Sequence, residues 1–149
     1  MRIAVHRPRR RLSRQELALA AVVFVVQVNV AVGLRLLRVP LLERVVARCR
    51  PLAQLTVRAP EDRVVWAIEA VGRRLTGIST CFVRALAADL LLSRADRPGQ
   101  VRVGVRRAPR GMIEAHAWFE CDGRILVGSD GVAGCDSFVT LGSRVLERV

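Results

Sequence analysis

The chain has 149 residues, of which 52% are hydrophobic, and it carries a formal net charge of +12. This hydrophobic content excludes a disordered chain, and the length suits one domain with a buried core. All 25 basic residues are arginine, and tyrosine is absent, so few aromatic side chains are available to stack on single-stranded bases. We therefore expect no nucleic-acid partner, although the charge alone would allow one.

The chain begins with an arginine-rich segment and a long apolar one. Residues 1–14 contain six arginines and no acid, which predicts a solvated basic arm. Leu17–Leu34 then carry no charge, and their number meets the minimum for a membrane helix. Because Gln27 and Asn29 lie in mid-segment, a helix buried in the core or against a partner is favoured, and peripheral membrane contact stays open. No clean signal-peptidase site follows, so we expect a cytoplasmic protein.

Two further helices are expected before residue 77. A basic, amphipathic stretch covers residues 35–50, and a loop is predicted between Pro51 and Pro60. The next helix starts near Pro60, because Glu61 follows at a position where the helix dipole favours an acid. Gly72 and Gly77 mark where this helix ends.

A fourth helix is predicted to begin at a cysteine. Ser79 and Thr80 are natural N-cap residues, and apolar residues follow them at helical spacing as far as Arg94. Cys81 therefore falls in the first turn, where free N–H groups and the helix dipole favour a thiolate over a thiol. A cysteine in an apolar helix is more often a small hydrophobic residue than a nucleophile, so Cys81 alone is a weak signal.

The four cysteines do not predict a metal site. Cys49, Cys81, Cys121 and Cys135 include no CxxC pair, and closely spaced pairs are the stronger zinc signal. We expect free thiols in a reducing cytosol, with no metal ion and no cofactor.

The second half of the sequence predicts an antiparallel sheet. Residues 101–105 and 113–120 alternate in the manner of strands. Asp122-Gly123 is typical of a tight hairpin turn, residues 124–127 form the return strand, and residues 138–141 are a candidate edge strand. Helices followed by an antiparallel sheet are the pattern of the α+β class.

His116 lies in the middle of the second predicted strand, where a strand-borne histidine can meet a helix-borne cysteine. A cysteine nucleophile needs such a base, and the base works better when a third group orients its imidazole. Asp122, Asp130 and Asp136 are available. Asp122 is needed for the turn, and the hairpin returns Asp130 to the vicinity of His116, so Asp130 is preferred.

The segments around Cys81 and His116 resemble the transglutaminase-like cysteine protease of lasso-peptide biosynthesis, the standalone leader peptidase usually called the B2 protein. The resemblance covers residues 79–130. It rests on Cys-Phe-Val-Arg-Ala-Leu at 81–86, on Val-Gly-Val-Arg-Arg at 103–107 and on Ala-His-Ala-Trp at 115–118. Two departures are Phe82, where the family often has Leu, and Gly128, which stands where an Asp would be expected.

The resemblance implies a papain/transglutaminase-like cysteine protease core that removes the leader peptide from a ribosomally synthesised lasso precursor. It implies Cys81 as nucleophile, His116 as base and Asp130 as the acidic third member. The implied partners are the precursor peptide and a separate leader-recognition protein, and the lasso cyclase is a further candidate.

The predicted organisation is a basic arm at 1–14, apolar helices at 15–58 and a catalytic core at 59–149, with 15–149 forming a single domain. The alternative interpretation is a basic, non-enzymatic protein that associates with membranes or binds nucleic acid.

Overall fold

The computed structural model describes residues 12–107, 112–132 and 137–141. Four helices come first: α1 (Arg14–Leu36), α2 (Val39–Thr56), α3 (Glu61–Gly72) and α4 (Cys81–Leu92). Four strands follow: β1 (Gly99–Arg107), β2 (Ile113–Cys121), β3 (Arg124–Val127) and β4 (Ser137–Leu141), with a short 3₁₀ helix at Ser129–Gly131. The predicted α+β class, with helices before an antiparallel sheet, is confirmed.

The four strands form one antiparallel sheet in the order β3-β2-β1-β4. The turn between β2 and β3 has Asp122 at φ 51° and Gly123 at φ 69°. Two consecutive left-handed residues are typical of a two-residue hairpin turn, as the sequence predicts. Gly104 of β1 pairs with His116 of β2, so His116 lies on one of the two inner strands.

Helix α1 begins with a capping box. The Ser13 side chain accepts from the Glu16 N–H, and the Glu16 carboxylate accepts from the Ser13 N–H. Val23 and Gln27 are among the few residues that α1 buries. By length and composition α1 could cross a membrane, because its most apolar 18-residue window has a mean hydropathy of 2.4 and only 22% of that window is buried.

Helix α2 contradicts the predicted loop between Pro51 and Pro60. Pro51 lies inside the helix, which continues to Thr56. A proline removes one helical hydrogen bond and crowds the carbonyl one turn earlier, but contacts on both sides of Pro51 hold α2 to α4. Arg50 pairs with Asp89 at 2.7 Å, and the Gln54 side chain donates to the Ser93 carbonyl.

The helices and the sheet share one hydrophobic core. It extends from Val23 of α1 through Ile68 of α3 and Val83 of α4 to Phe119 of β2 and Val127 of β3. Helix α3 begins where the sequence predicts and ends at Gly72, the first of the two glycines predicted to end it. Since the core includes residues from α1 to the sheet, both the α4 start and the β2–β3 hairpin are fixed against the same packed interior.

Candidate active site

Cys81 is the first residue of α4 and is only partly buried. Thr80 caps the helix: its side chain accepts from the Val83 N–H at 3.3 Å, and its carbonyl accepts from the Arg84 N–H at 3.1 Å. Within the described residues, the N–H groups of Cys81 and Phe82 have no acceptor. The start of α4 therefore presents a thiol beside two free hydrogen-bond donors.

The segment before Cys81 is held by a buried glutamine of α1. The Ser79 hydroxyl donates to Gln27 Oε1 at 2.6 Å, and Gln27 Nε2 donates to the Ile68 carbonyl at 2.9 Å. Gln27 is fully buried, and these bonds satisfy the polar group that interrupts the apolar run of α1. Gln27 therefore ties α1 to α3 and to the residues that precede the thiol.

His116 is half-buried on β2, and its Nε2 lies 2.7 Å from the carbonyl oxygen of Gly128. A carbonyl can only accept, so Nε2 carries the proton and donates it. In the neutral imidazole, Nδ1 then keeps its lone pair and is the nitrogen able to take up a proton. The Trp118 ring stacks near the imidazole with its centroid 6.4 Å away and an interplanar angle of 17°.

Two glycines allow the segment after β3 to close on this imidazole. Gly128 has φ 86°, and a Cβ there would lie 2.9 Å from the Ala117 carbonyl oxygen. A Cβ on Gly131 would lie 2.5 Å from atoms of the His116 ring. Larger residues at either position would displace the turn or the ring.

Glu69 of α3 joins the histidine side of the site to the cysteine helix. Its Oε1 accepts from the Gly128 N–H at 3.2 Å, and its Oε2 accepts from Arg84 Nη1 at 2.6 Å. Arg84 follows Cys81 by three residues, so the two side chains lie on neighbouring turns of α4. A chain of hydrogen bonds thus leads from the first turns of α4 through Glu69 and Gly128 to His116.

The structure relates Cys81 and His116 to the hydrogen-bond network but leaves Asp130 outside it. Cys81 and His116 belong to elements that this network connects, although within the described residues no hydrogen bond joins them directly. Asp130 is exposed on the 3₁₀ helix, two residues after Gly128, and has no hydrogen bond to His116 in the described part of the chain. Its assignment as third member stays a prediction.

Asp122, one of the two competing aspartates, lies away from the site. Asp122 is the left-handed residue of the hairpin turn and forms an ion pair with Arg97, which also pairs with Glu61 of α3. Asp136 lies outside the described residues. Asp122 therefore holds the hairpin to the rest of the fold and does not reach His116.

Sequence reasoning missed both Glu69 and the Gly128 carbonyl. The available signals were a single acid in the apolar stretch of α3 and the glycine found where an Asp was expected. Arg84, one turn after Cys81, forms an ion pair with Glu69.

Cys49 and Cys121 take no part in this network. Cys49 is exposed and Cys121 is buried, and burial raises the pKa of the Cys121 thiol. Cys135 lies outside the described residues. Within the described ranges, no three His, Cys, Asp or Glu side chains lie so that they could hold a metal ion. A cavity lined by Glu16, Val57 and Arg63 is near the start of α3, whereas Glu69 is near its end.

A family model described as the transglutaminase-like superfamily matches residues 24–143. The chain belongs to the transglutaminase-like superfamily. This superfamily generally contains cysteine proteases and transferases, and the match includes Cys81, His116 and every strand described above. No curated protein and no solved structure matches the chain.

Proposed function

We propose that this transglutaminase-like protein is a cysteine peptidase that removes the leader from a lasso peptide precursor, with Cys81 as nucleophile and His116 as general base. The observation that carries the proposal is the hydrogen-bond chain through Glu69, which connects the start of the cysteine helix to an imidazole whose Nδ1 is free. A partly exposed thiol at an open helix start is the setting that thiol catalysis requires.

The first half of the reaction breaks the peptide bond between leader and core. Cys81 Sγ attacks the scissile carbonyl carbon, and the thiol proton passes to His116 Nδ1. The free N–H groups of Cys81 and Phe82 are the candidate donors to the oxyanion that forms. The C–N bond then breaks, the imidazolium returns its proton to the departing nitrogen, and the leader remains on Cys81 as a thioester.

The second half releases the leader. His116 Nδ1 takes a proton from water as the water oxygen attacks the thioester carbonyl. The C–S bond breaks, Cys81 recovers its thiol, and the leader departs with a new carboxylate. The amino group freed on the core is the group that a separate cyclase joins to a side-chain carboxylate.

Asp130 is assigned the acidic third role. Its carboxylate follows Gly128 by two residues and stabilises the imidazolium by charge, whereas the Gly128 carbonyl fixes the tautomer. This division of labour differs from a carboxylate that bonds directly to the imidazole.

The partners in this proposal are the precursor, a separate leader-recognition protein and the cyclase that consumes the product. The recognition protein docks on what we name the α1–α2 apolar surface. That surface consists of exposed side chains of the two helices: Leu17, Phe24, Val25, Val32 and Leu36 of α1, and Val39, Leu41, Val45, Leu52 and Leu55 of α2. Many exposed apolar side chains on two neighbouring helices favour a protein or membrane interaction site.

A second candidate is a membrane-associated protein, because α1 passes the length and hydropathy test for a span. We favour a cytoplasmic enzyme with peripheral contact at most. Gln27 in the middle of α1 is bonded to α3 and to Ser79, and a helix so bound to the core cannot leave it without exposing those polar groups.

The experiment combines gene context with mass spectrometry. The genes beside the one for this chain should encode a short precursor, a small recognition protein and an amide-forming synthetase. Incubating this chain with the purified precursor and the recognition protein should yield leader and core peptides. Their masses should sum to the mass of the precursor plus one water. An intact precursor, or a leader acyl group transferred to an amine in place of water, would contradict the peptidase proposal.

A further inference from the structure

Glu69 is an isolated acid in the apolar second half of α3. Its neighbours Ile68 and Ala70 are buried, and its own side chain is mostly shielded from solvent. Both carboxylate oxygens are engaged, one by the Gly128 N–H and the other by Arg84. A partly buried carboxylate with two charge-assisted or main-chain partners is held in one position.

Gly128 depends on this carboxylate because the strand ladder ends before it. The last β2–β3 pair is Phe119 with Val127, so no ladder bond fixes the Gly128 N–H. The residue is left-handed and lies tightly against Ala117 and Trp118. With its N–H bound to Glu69, Gly128 presents its carbonyl to His116 Nε2.

We propose that Glu69 is a positioning residue that sets the tautomer and orientation of His116 through Gly128. Because Arg84 holds the second oxygen, the same carboxylate keeps His116 in register with the helix that carries Cys81. Loss of the Glu69 acceptor frees Gly128, and the Nε2 hydrogen bond of His116 is lost with it. The kinetic part of this proposal rests on the proposed peptidase function.

The test compares Glu69→Met with Glu69→Gln. Methionine keeps the length and packing of the side chain but has no oxygen for the Gly128 N–H, whereas glutamine keeps Oε1 as an acceptor. We expect Glu69→Met to lower kcat about ten- to a hundredfold with KM changed less than about threefold. Glu69→Gln should lose less of kcat than Glu69→Met, because it keeps an acceptor for the Gly128 N–H and loses only the ion pair with Arg84. Glu61→Met is the matched control, since it removes an ion pair with Arg97 from the same helix.

A spectroscopic readout separates positioning from folding. In protein labelled with ¹⁵N-histidine, with the other histidine removed by His6→Gln, the His116 Nε2–H signal persists only while its hydrogen bond protects the proton from exchange. We expect the signal in the His6→Gln parent, Glu69→Gln and Glu61→Met, and its loss in Glu69→Met.

Retention of both the signal and kcat in Glu69→Met would overturn the proposal, as would an equal loss of kcat in Glu61→Met. If Glu69→Met does not fold, the His6→Gln parent decides: rapid exchange of its His116 Nε2–H or its Gly128 amide overturns the proposal, and protection of both supports it. If wild type cleaves no precursor, the peptidase proposal fails, and the imidazole signal still decides whether Glu69 positions His116.

Discussion

His116 is held by a main-chain carbonyl, and this changes what the neighbouring acid can contribute. In a Cys–His–Asp arrangement with a direct carboxylate bond, loss of the carboxylate costs both the tautomer and the counter-charge. Here the Gly128 carbonyl already selects the tautomer with Nδ1 free. In the proposed mechanism, what remains for Asp130 is the counter-charge alone.

If Asp130 supplies this counter-charge, Asp130→Asn should slow precursor cleavage only about tenfold, because it removes the charge and leaves the tautomer intact. Asp122→Asn is the control and should stay close to the wild-type rate, since asparagine also accepts the left-handed turn position. Cleavage rates at saturating recognition protein decide the matter. An unchanged rate in Asp130→Asn would remove Asp130 from the mechanism and leave Gly128 as the sole orienting group.

At the scale of elements, local sequence signals predicted what local physics controls. The α3 start at Glu61 and the turn at Asp122-Gly123 depend on the helix dipole and on left-handed residues, and both are found as predicted. The loop predicted after Pro51 was wrong because distant residues of α4 hold the rest of α2. Composition detects a helix breaker but not the tertiary contacts that offset it.

The α1–α2 apolar surface should bind the recognition protein and should not span a bilayer. Phe24 and Val25 are 47% and 55% exposed, so replacing both with serine should leave the fold intact and weaken recognition-protein binding about tenfold or more. Gln15→Ala is the control on an exposed polar residue of the same helix. Titration calorimetry measures the binding, and fractionation measures membrane association.

Two results would contradict this view of α1. One is recovery of the wild-type chain only in the membrane fraction, resistant to high salt. The other is recognition-protein binding by the double-serine variant at the wild-type affinity.

The α2–α4 contact contains two partly buried acids, and burial disfavours their ionised form. Glu43 Oε1 is buried without a hydrogen-bond partner among the described residues, and burial, with the nearby Asp89 charge, raises the pKa of Glu43. Burial likewise raises the pKa of Asp89, although Arg50 opposes the shift. Because the pKa of each acid is higher in the folded state than in the unfolded chain, folding favours the protonated acid. The stability that each acid contributes is therefore full below its unfolded pKa and is lost as pH rises through its folded pKa.

Glu43→Gln should therefore raise the free energy of unfolding at neutral pH by up to about 1 kcal/mol, and the thermal midpoint should rise with it. The gain should shrink near pH 4, close to the usual glutamate pKa of about 4.3, because wild-type Glu43 is then mostly protonated. Asp62→Asn, at an exposed acid of α3, should show no such pH-dependent gain. A Glu43→Gln gain that is equal at both pH values, or a loss at neutral pH, would contradict the account.

Across the whole molecule, several of the many arginines form ion pairs with acids of the same chain. Ion pairs connect separate elements: Arg63 with Glu16, Arg50 with Asp89, Arg84 with Glu69, Arg97 with Glu61 and Asp122, and Arg102 with Glu120. These pairs bridge helices, strands and the hairpin turn. Charge composition alone suggested a polyanion partner, but arginine also suits ion pairing between packed elements.

The part of the site that could be predicted is the part that local sequence patterns specify. Cys81 and His116 could be predicted as site residues because a capped helix start and an alternating strand are local patterns. Glu69 and Gly128 are 59 positions apart, and only the packing of α3 against the end of β3 brings them together. No local pattern marks a main-chain carbonyl as an orienting group.

The central claim is that the Cys81 thiol cleaves the precursor, and the decisive measurement is the cleavage rate of Cys81→Ala and Cys81→Ser beside Cys49→Ala. Precursor and recognition protein are supplied in each case, and mass spectrometry follows the leader and core products. We predict no cleavage above background by either Cys81 variant with the fold intact, and the wild-type rate for Cys49→Ala. Of the three cysteines that the structure describes, Cys81 alone combines a helix start with a connected imidazole. Cleavage by Cys81→Ala at the wild-type rate would contradict the account.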